Sequence, residues 1–484
     1  MGRGKRRRLA SVALVVLVGA FALAATVYGA SVVATPISSD PYTNQSSQHR
    51  TQLEPDSFGW GNTVVATFQT GRFFDGGSSN IGWATTTNAG RTWTTGMLPG
   101  TTIFATPAGP WARISDPAVA YDPLHDVWMI STLAIDNTVT GAAVLTSRST
   151  DGGLTWENPV TTSLHTNTFY DKNWITCDTR AQSPHYGNCY QEWDDSRLTM
   201  STSSDGGLTW GTPKFVGSNG LGGQPVVQPN GNVIVPYEGG AGIRSFRSID
   251  GGATWQASVL VASVSEHPVA GNLRTSPLPS AEVDADGKVY VVWQDCSFRS
   301  NCTSNDIVMS TSTDGVAWTP KVRIPIDPTN GTVDHFIPGI AVDKSTSGSS
   351  AHLALGYYYY PVAACGSSCD LTVGFVSSTD GGATWTQPRK VAGPISLNWI
   401  ASTNQGVMVG DYMSTSFAGG NFAFPVFAVA KAPTSGTFDE RMYSARFDVT
   451  VQPGPLVQVR HDRIRFKRHN LPPDLFDELP PVPN

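Results

Sequence analysis

The octapeptide Ser149-Thr150-Asp151-Gly152-Gly153-Leu154-Thr155-Trp156 decides the fold, because it recurs along most of the chain. Close copies run from Ser203 to Trp210 around Asp205, from Ser248 to Trp255 around Asp250, and from Ser378 to Trp385 around Asp380. Two more are degenerate: Thr86 to Trp93 carries Asn88 in place of the Asp, and Ser312 to Trp318 is one residue shorter around Asp314. Ser and Asp side chains accept hydrogen bonds from turn amides, and Gly supplies positive φ. Thr and Trp then resume a strand, and the Trp gives each hairpin a large apolar anchor. Asp151, Asp205, Asp250, Asp314 and Asp380 therefore read as structural residues.

A second repeat lies upstream of the boxes, where a polar or acidic residue opens a short apolar strand. Seven such openings occur, at Gln52 to Pro55, Ser115 to Asp122, Asp171 to Asp178, Gln224 to Asn230, Ser276 to Asp284, Asp334 to Asp343, and Val409 to Tyr412. Runs such as Val289 to Trp293 and Val233 to Pro236 follow, and then the strand that enters the box. Each unit thus supplies about four strands, which is what a propeller blade requires. The expected fold is an all-β propeller over 50–451, with seven blades favoured and six as the alternative, since the seventh unit lacks a box.

Composition agrees. Of 484 residues 40% are hydrophobic and only 14% charged, while Gly (49), Pro (33) and Trp (14) are plentiful, as suits many short strands and turns. A formal net charge of −6 leaves no broad basic field for a phosphate backbone, so no nucleic-acid partner is expected. Glycine patterns for nucleotide binding in a strand-to-helix context are missing, so no nucleotide cofactor is expected. A calcium ion in an acid-lined channel is compatible with the composition, without EF-hand spacing to support it.

At the start, Arg3, Lys5, Arg6, Arg7 and Arg8 precede an uncharged, mostly apolar run from Leu9 to Ala34. Residues 1–34 read as a signal peptide or a signal-anchor membrane span, either of which places the rest outside the cell. Residues 35–49 read as a linker. From 452 to 484, five basic residues between Arg460 and Arg468 and then Pro472, Pro473 and Pro480 to Pro483 read as a poorly ordered tail. The six cysteines pair by proximity as Cys177 with Cys189, Cys296 with Cys302, and Cys365 with Cys369. In an oxidising compartment these read as three local disulfides; the competing metal reading lacks CxxC knuckles and a histidine cluster.

In a propeller the innermost strands begin around one end of a central channel, so the polar residues that open the units should converge there. The candidates are Glu54, Arg113, Asp116, Asp171, Lys172, Gln224, Arg274, Asp334, His335, Asp411 and Tyr412. Carboxylates with a few cations bind a polar sugar, hold a cation, or do acid–base work; equally, they cap strand amides in an inert wet channel. The run Tyr357 to Tyr360 offers rings for stacking on a sugar or for packing between blades, while Trp174, Trp193 and Trp293 read as core.

The pattern Ser/Thr-x-Asp-x-Gly-x-Thr-Trp is the Asp box, and on it the chain resembles the bacterial neuraminidase repeat proteins, a group that includes sialidases. Over roughly residues 50 to 450 the resemblance implies an exported sialidase-like glycoside hydrolase of exo-α-sialidase type, acting on a glycan or polysaccharide at the channel mouth as a monomer. It further implies that Arg113 and Arg274 bind a substrate carboxylate, that Asp116 donates the proton, and that Tyr412 attacks, with Glu54 placed as its partner by position. The sialidase motif Phe/Tyr-Arg-Ile-Pro is matched only by Ala112-Arg113-Ile114-Ser115, which keeps the Arg-Ile core and loses the aromatic residue and the proline. A binding propeller without catalysis and a different polysaccharide-degrading enzyme on the same scaffold stay open beside that reading.

Overall fold

A computed structural model of the protein describes residues 33–164, 170–194, 197–240 and 242–451. The expected export segment before Val33 and the expected tail after Val451 lie outside the described residues. Among the described residues no helix is long and apolar enough to cross a membrane.

Short apolar strands separated by Gly- and Asp-rich turns pair into seven antiparallel units of four strands. The innermost strands are Gln52–Trp60, Arg113–Asp122, Asp171–Cys177, Val226–Val227, Ser280–Val283, Asp334–Val342 and Ser414–Ala418. Each packs against the next in chain order, and the last packs against the first, so the units close into a seven-bladed propeller. Side chains bridge neighbours at this level. The Val119 amide donates to Asp56 at 2.8 Å, the Ala281 amide to Gln224 at 3.0 Å, the Ile340 amide to Ser280 at 3.1 Å, and Ser57 bonds Ser414 at 3.0 Å.

Each box joins the third and fourth strands of its blade and performs the expected chemistry. Ser248 Oγ bonds Asp250, the Gly252 amide donates to Ser248 at 2.9 Å, and the Thr254 amide donates to Asp250 at 2.8 Å. Burial pushes the Asp250 carboxyl up, but the hydrogen bonds from Thr254 and Ser248 outweigh it and hold the group at about 2. In the degenerate box Asn88 fills the same role, accepting from the Thr92 amide at 3.0 Å.

The boxes also fasten blades together. Thr85 of blade 1 donates to the Gly153 carbonyl of the next blade's box, and Ser245 of blade 4 to the Gly315 carbonyl of blade 5's. Contact is tight enough to demand glycine: at Gly252 φ is +81°, and an added Cβ would lie 2.4 Å from Thr202 Oγ1 of the preceding blade. Gly90 of the first box sits against Phe424 of blade 7, so the same joint closes the ring.

Blade 7 corrects the expected linker over 35–49. Its strands Phe422–Thr434 and Thr437–Ser444 turn without a box, and its outermost strand is Thr35–Pro36, paired with Tyr443 and Ser444. Ile37 is buried behind it, and Ser38 donates to Gln52 at 2.8 Å while accepting from the Met442 amide at 2.8 Å. A blade with an open edge would expose an unpaired ladder, and the segment before blade 1 covers it. The three expected disulfides form, spanning 12, 6 and 4 residues. Trp193 and Trp293 are fully buried core, whereas Trp174 is half-buried and lines the channel.

Candidate functional site

In blades 1, 2 and 3 the innermost strand is interrupted near its start by a bulge. Register slips between Leu53 and Asp56, between Ser115 and Ala118, and between Asp171 and Trp174. The bulged residues are Glu54 (φ 57°), Asp116 (φ 46°) and Lys172 (φ 45°), all in the left-handed region that non-glycine residues rarely adopt. Pro55 and Pro117 follow the first two, where an unpaired position has no need of an amide donor. The bulge re-aims each side chain, and the three meet.

At their meeting point the Lys172 ammonium donates to Glu54 at 3.1 Å, to Asp116 at 3.3 Å and to Asp411. Asp411 arrives from the segment before blade 7. Gly410 permits its approach, since a Cβ there would stand 2.7 Å from the Glu54 Cα. Arg274 also donates to Asp411; its loop is pinned by the Arg274 amide to the Val407 carbonyl at 2.8 Å. Two residues of the second strand of blade 1 complete the group: Gln69 donates to Glu54 and to Ser115 at 3.2 Å, and Arg72 donates to Gln69 at 2.9 Å.

Three carboxylates, one ammonium and two guanidiniums thus form a compact hub. It is buried: Lys172, Glu54, Asp116 and Asp411 are at most 6% exposed, and Arg274, at 20%, is the most open member. Burial works against the Lys172 charge, but Asp116, Asp411 and Glu54 outweigh it and hold the ammonium well above its ordinary range. Burial raises Asp411 too, yet Lys172 and Arg274 bring it down to about 2. Glu54 goes the other way. Burial is its largest influence, the Lys172 charge offsets only part of it, and the neighbouring Asp116 and Asp411 add to it, leaving Glu54 at about 7.

The remaining candidates fall in different places. Asp171 sits beside the hub and is raised by burial. Tyr412 packs edge-on against Trp174 at 5.1 Å and donates to the Pro117 carbonyl at 3.3 Å, and burial holds its phenol well above the usual range. It is a protonated packing residue here, which is at odds with the nucleophile implied by resemblance. Arg113 pairs with Asp75 at the rim, stacks 4.3 Å over Phe73, and touches none of the hub. Gln224 joins blades 4 and 5.

Asp334 and His335 are also absent from the hub. The bulged residue of blade 6 is Ile337 (φ 49°), so Asp334 and Arg113 both stand three positions before their bulge and point to the rim between blades. Asp334 accepts from the Asn305 amide at 2.7 Å, and burial pushes it up to about 6; burial lowers His335 to about 4. His335, Asp306 and Asp327 come close enough to share a cation. Arg299 and Arg323 already pair with both carboxylates, so a metal there has to displace two guanidiniums.

Tyr358 and Tyr360 donate to the Ala428 and Ala270 carbonyls, and Tyr357 and Tyr359 pack around His335. The tyrosine run therefore binds blades and loops rather than offering free faces to a sugar.

Below Trp174 the channel passes Ser57, Gln224, Ser280 and Ser414. It opens at the opposite end of the innermost strands into a cavity of about 520 Å³ bordered by Phe58, Trp60, Arg180, Glu282, Lys344 and Phe417. Sequence reading reached Glu54, Asp116, Lys172, Arg274 and Asp411 but missed Gln69 and Arg72. Their signal was a long-chain polar pair in the strand Thr63–Arg72, whose remaining polar residues are threonines. It also missed Arg180, in the loop that follows the strand Asp171–Cys177, whose beginning drew attention.

No protein-family model and no curated protein sequence matches the chain. Among solved structures, a Dyadobacter fermentans protein of unknown function is similar at 15% identity, covering 72% of this chain and 100% of that one, with a TM-score of 0.46. The NanB sialidase of Streptococcus pneumoniae gives 12%, 86%, 71% and 0.44 for the same measures. The phage phi92 endosialidase gives 10%, 92%, 72% and 0.47. Similarity at this level carries no statement about activity.

Proposed function

We propose that this chain is an exported ligand-binding propeller that holds a glycan without cleaving it. The observation that carries the reading is the Lys172 ammonium, which takes Glu54, Asp116 and Asp411 together. Glycoside hydrolysis needs a carboxyl that reaches the leaving oxygen and a second group that attacks or activates water. Here the carboxylates nearest to those roles are neutralised internally and shielded from solvent, and Tyr412 is engaged with Pro117. An unpaired substrate-binding arginine triad is likewise missing among the described residues of the hub, because Arg274 is committed to Asp411 and Arg113 to Asp75. On the side of hydrolysis stands one observation: Glu54, held at about 7, has the value of a general acid at neutral pH.

Incubating the purified full chain with a fluorogenic sialoside, alongside a glycan-binding screen, separates the two. Glycan binding and no released fluorophore are the expected outcome. Release that disappears in Glu54→Gln would establish hydrolysis at the hub.

A further inference from the structure

Among the described residues Arg180 is a guanidinium in no direct ion pair with a carboxylate. Its Nη2 donates to the Lys344 carbonyl at 3.1 Å and the Asp284 carbonyl at 3.5 Å, and among the described residues its Nε and Nη1 have no protein partner. Burial depresses its pKa, with the charges of Asp284, Asp178 and Glu282 acting against that. The loop is held firmly, by the Cys177–Cys189 disulfide and by the Arg180 amide donating to Asp178 at 3.1 Å. The nearby charges are otherwise accounted for. Lys344 pairs with Glu282 at 2.7 Å, and Asp343 accepts from the Ser345 amide at 3.0 Å and hydroxyl at 2.7 Å, with His352 at 3.8 Å.

Around this guanidinium, which no carboxylate pairs with directly among the described residues, the cavity is shaped for an organic body rather than for a bare ion. Its volume of about 520 Å³ is within the roughly 300–1,000 Å³ of small-molecule sites. Trp60 is 37% exposed on its wall and is braced from behind by Tyr121 at 5.5 Å, and Phe58 leans on Trp128 at 6.2 Å. A ring held in place by a second ring presents a face at little entropic cost. Deeper in, Ser57, Ser280 and Ser414 line the channel, with Ser57 and Ser414 bonded to each other and Ser280 accepting from the Ile340 amide. A planar guanidinium matches a carboxylate bidentately, and a fixed aromatic face matches the apolar face of a pyranose.

We infer that the mouth at the far end of the channel from the hub binds a carboxylate-bearing sugar residue, with Arg180 on the carboxylate and Trp60 against the ring. This rests on the ligand-binding reading above and names the site and ligand class for it. The hub plays no part in contact with the ligand.

Calorimetric titration of the full chain with a glucuronate-terminated oligosaccharide, and with its neutral glucose-terminated counterpart, tests the assignment. Expected are at least tenfold weaker binding of the neutral sugar, at least tenfold loss in Arg180→Gln, a smaller loss in Arg180→Lys, and a loss in Trp60→Ala. Arg274→Gln, folded by circular dichroism, should bind as the parent does. Binding that ignores Arg180, or that vanishes with Arg274, overturns the site while leaving a ligand-binding propeller standing. Failure of the parent to bind any member of a broad glycan panel overturns both.

Discussion

Lys172 on blade 3 donates at 3.1 Å to Glu54 on blade 1, 118 residues earlier, and the same ammonium reaches Asp116 on blade 2 and Asp411 before blade 7. One side chain therefore ties four consecutive positions of the ring. Replacing it with Met leaves Glu54 and Asp116 in the interior without their cation, while Asp411 keeps Arg274, and breaking a buried pair typically costs about 3–5 kcal/mol. Chemical denaturation of Lys172→Met should show a loss of that order, smaller at pH 5 than at pH 8 because the carboxyls can then take up protons. A loss below about 1 kcal/mol at pH 8 would mean that the hub is hydrated and the pairing is not structural.

Stability should also depend on pH in a definite sense. Glu54 and Asp56 are both held at about 7 in the folded state, by burial first, against ordinary values of 4.5 and 3.8. A raised acid binds more protons folded than unfolded, so its favourable contribution is present below the unfolded value and is lost as pH rises through about 7. Asp411, at about 2, acts oppositely: its contribution is present above 3.8 and is lost as pH falls toward 2. Melting temperature should thus fall from pH 5.5 to pH 8, and Glu54→Gln should flatten that fall. An unchanged slope in Glu54→Gln would remove Glu54 from the account.

The boxes act as joints between blades. Asp250→Ala removes three acceptor contacts from an exposed turn and should cost about 1 kcal/mol. Gly252→Ala should cost more, about 2–3 kcal/mol, because it forces an alanine to φ +81° and into Thr202. Denaturant titration of the two variants checks the order, and a reversal would show that the turn, not the joint, matters most.

Deleting residues 33–39 removes the outermost strand of blade 7 and bares the edge of Thr437–Ser444. The expected outcome is a lower melting temperature together with concentration-dependent association in size-exclusion chromatography. A monomer of undiminished stability would show that the N-terminal strand is dispensable for closure.

Much of this architecture was legible because blades repeat. Box residues at fixed spacing and a polar or acidic residue at each strand start gave seven units, all of which became blades. The closing strand Thr35–Pro36 was not legible, since two residues carry no period. For the site, position at the openings of the repeated units marked Glu54, Asp116, Lys172, Arg274 and Asp411 as convergent but could not say that they neutralise one another. That depends on bulges, which put Lys172 in register with Glu54 and Asp116, and leave Arg113 and Asp334 three positions too early. Arg180 escaped notice because the strand ends opposite the acid-rich starts drew no chemical expectation.

The hub is interior and committed to itself. Brief acetylation of the native full chain, mapped by mass spectrometry, reads this directly, with exposed Lys431 and part-exposed Lys344 as internal references. Lys172 should stay unmodified while both references label, and should label once the protein is unfolded. Labelling of Lys172 in the native protein at the rate of Lys344 would contradict it and reopen the hub as a site for substrate.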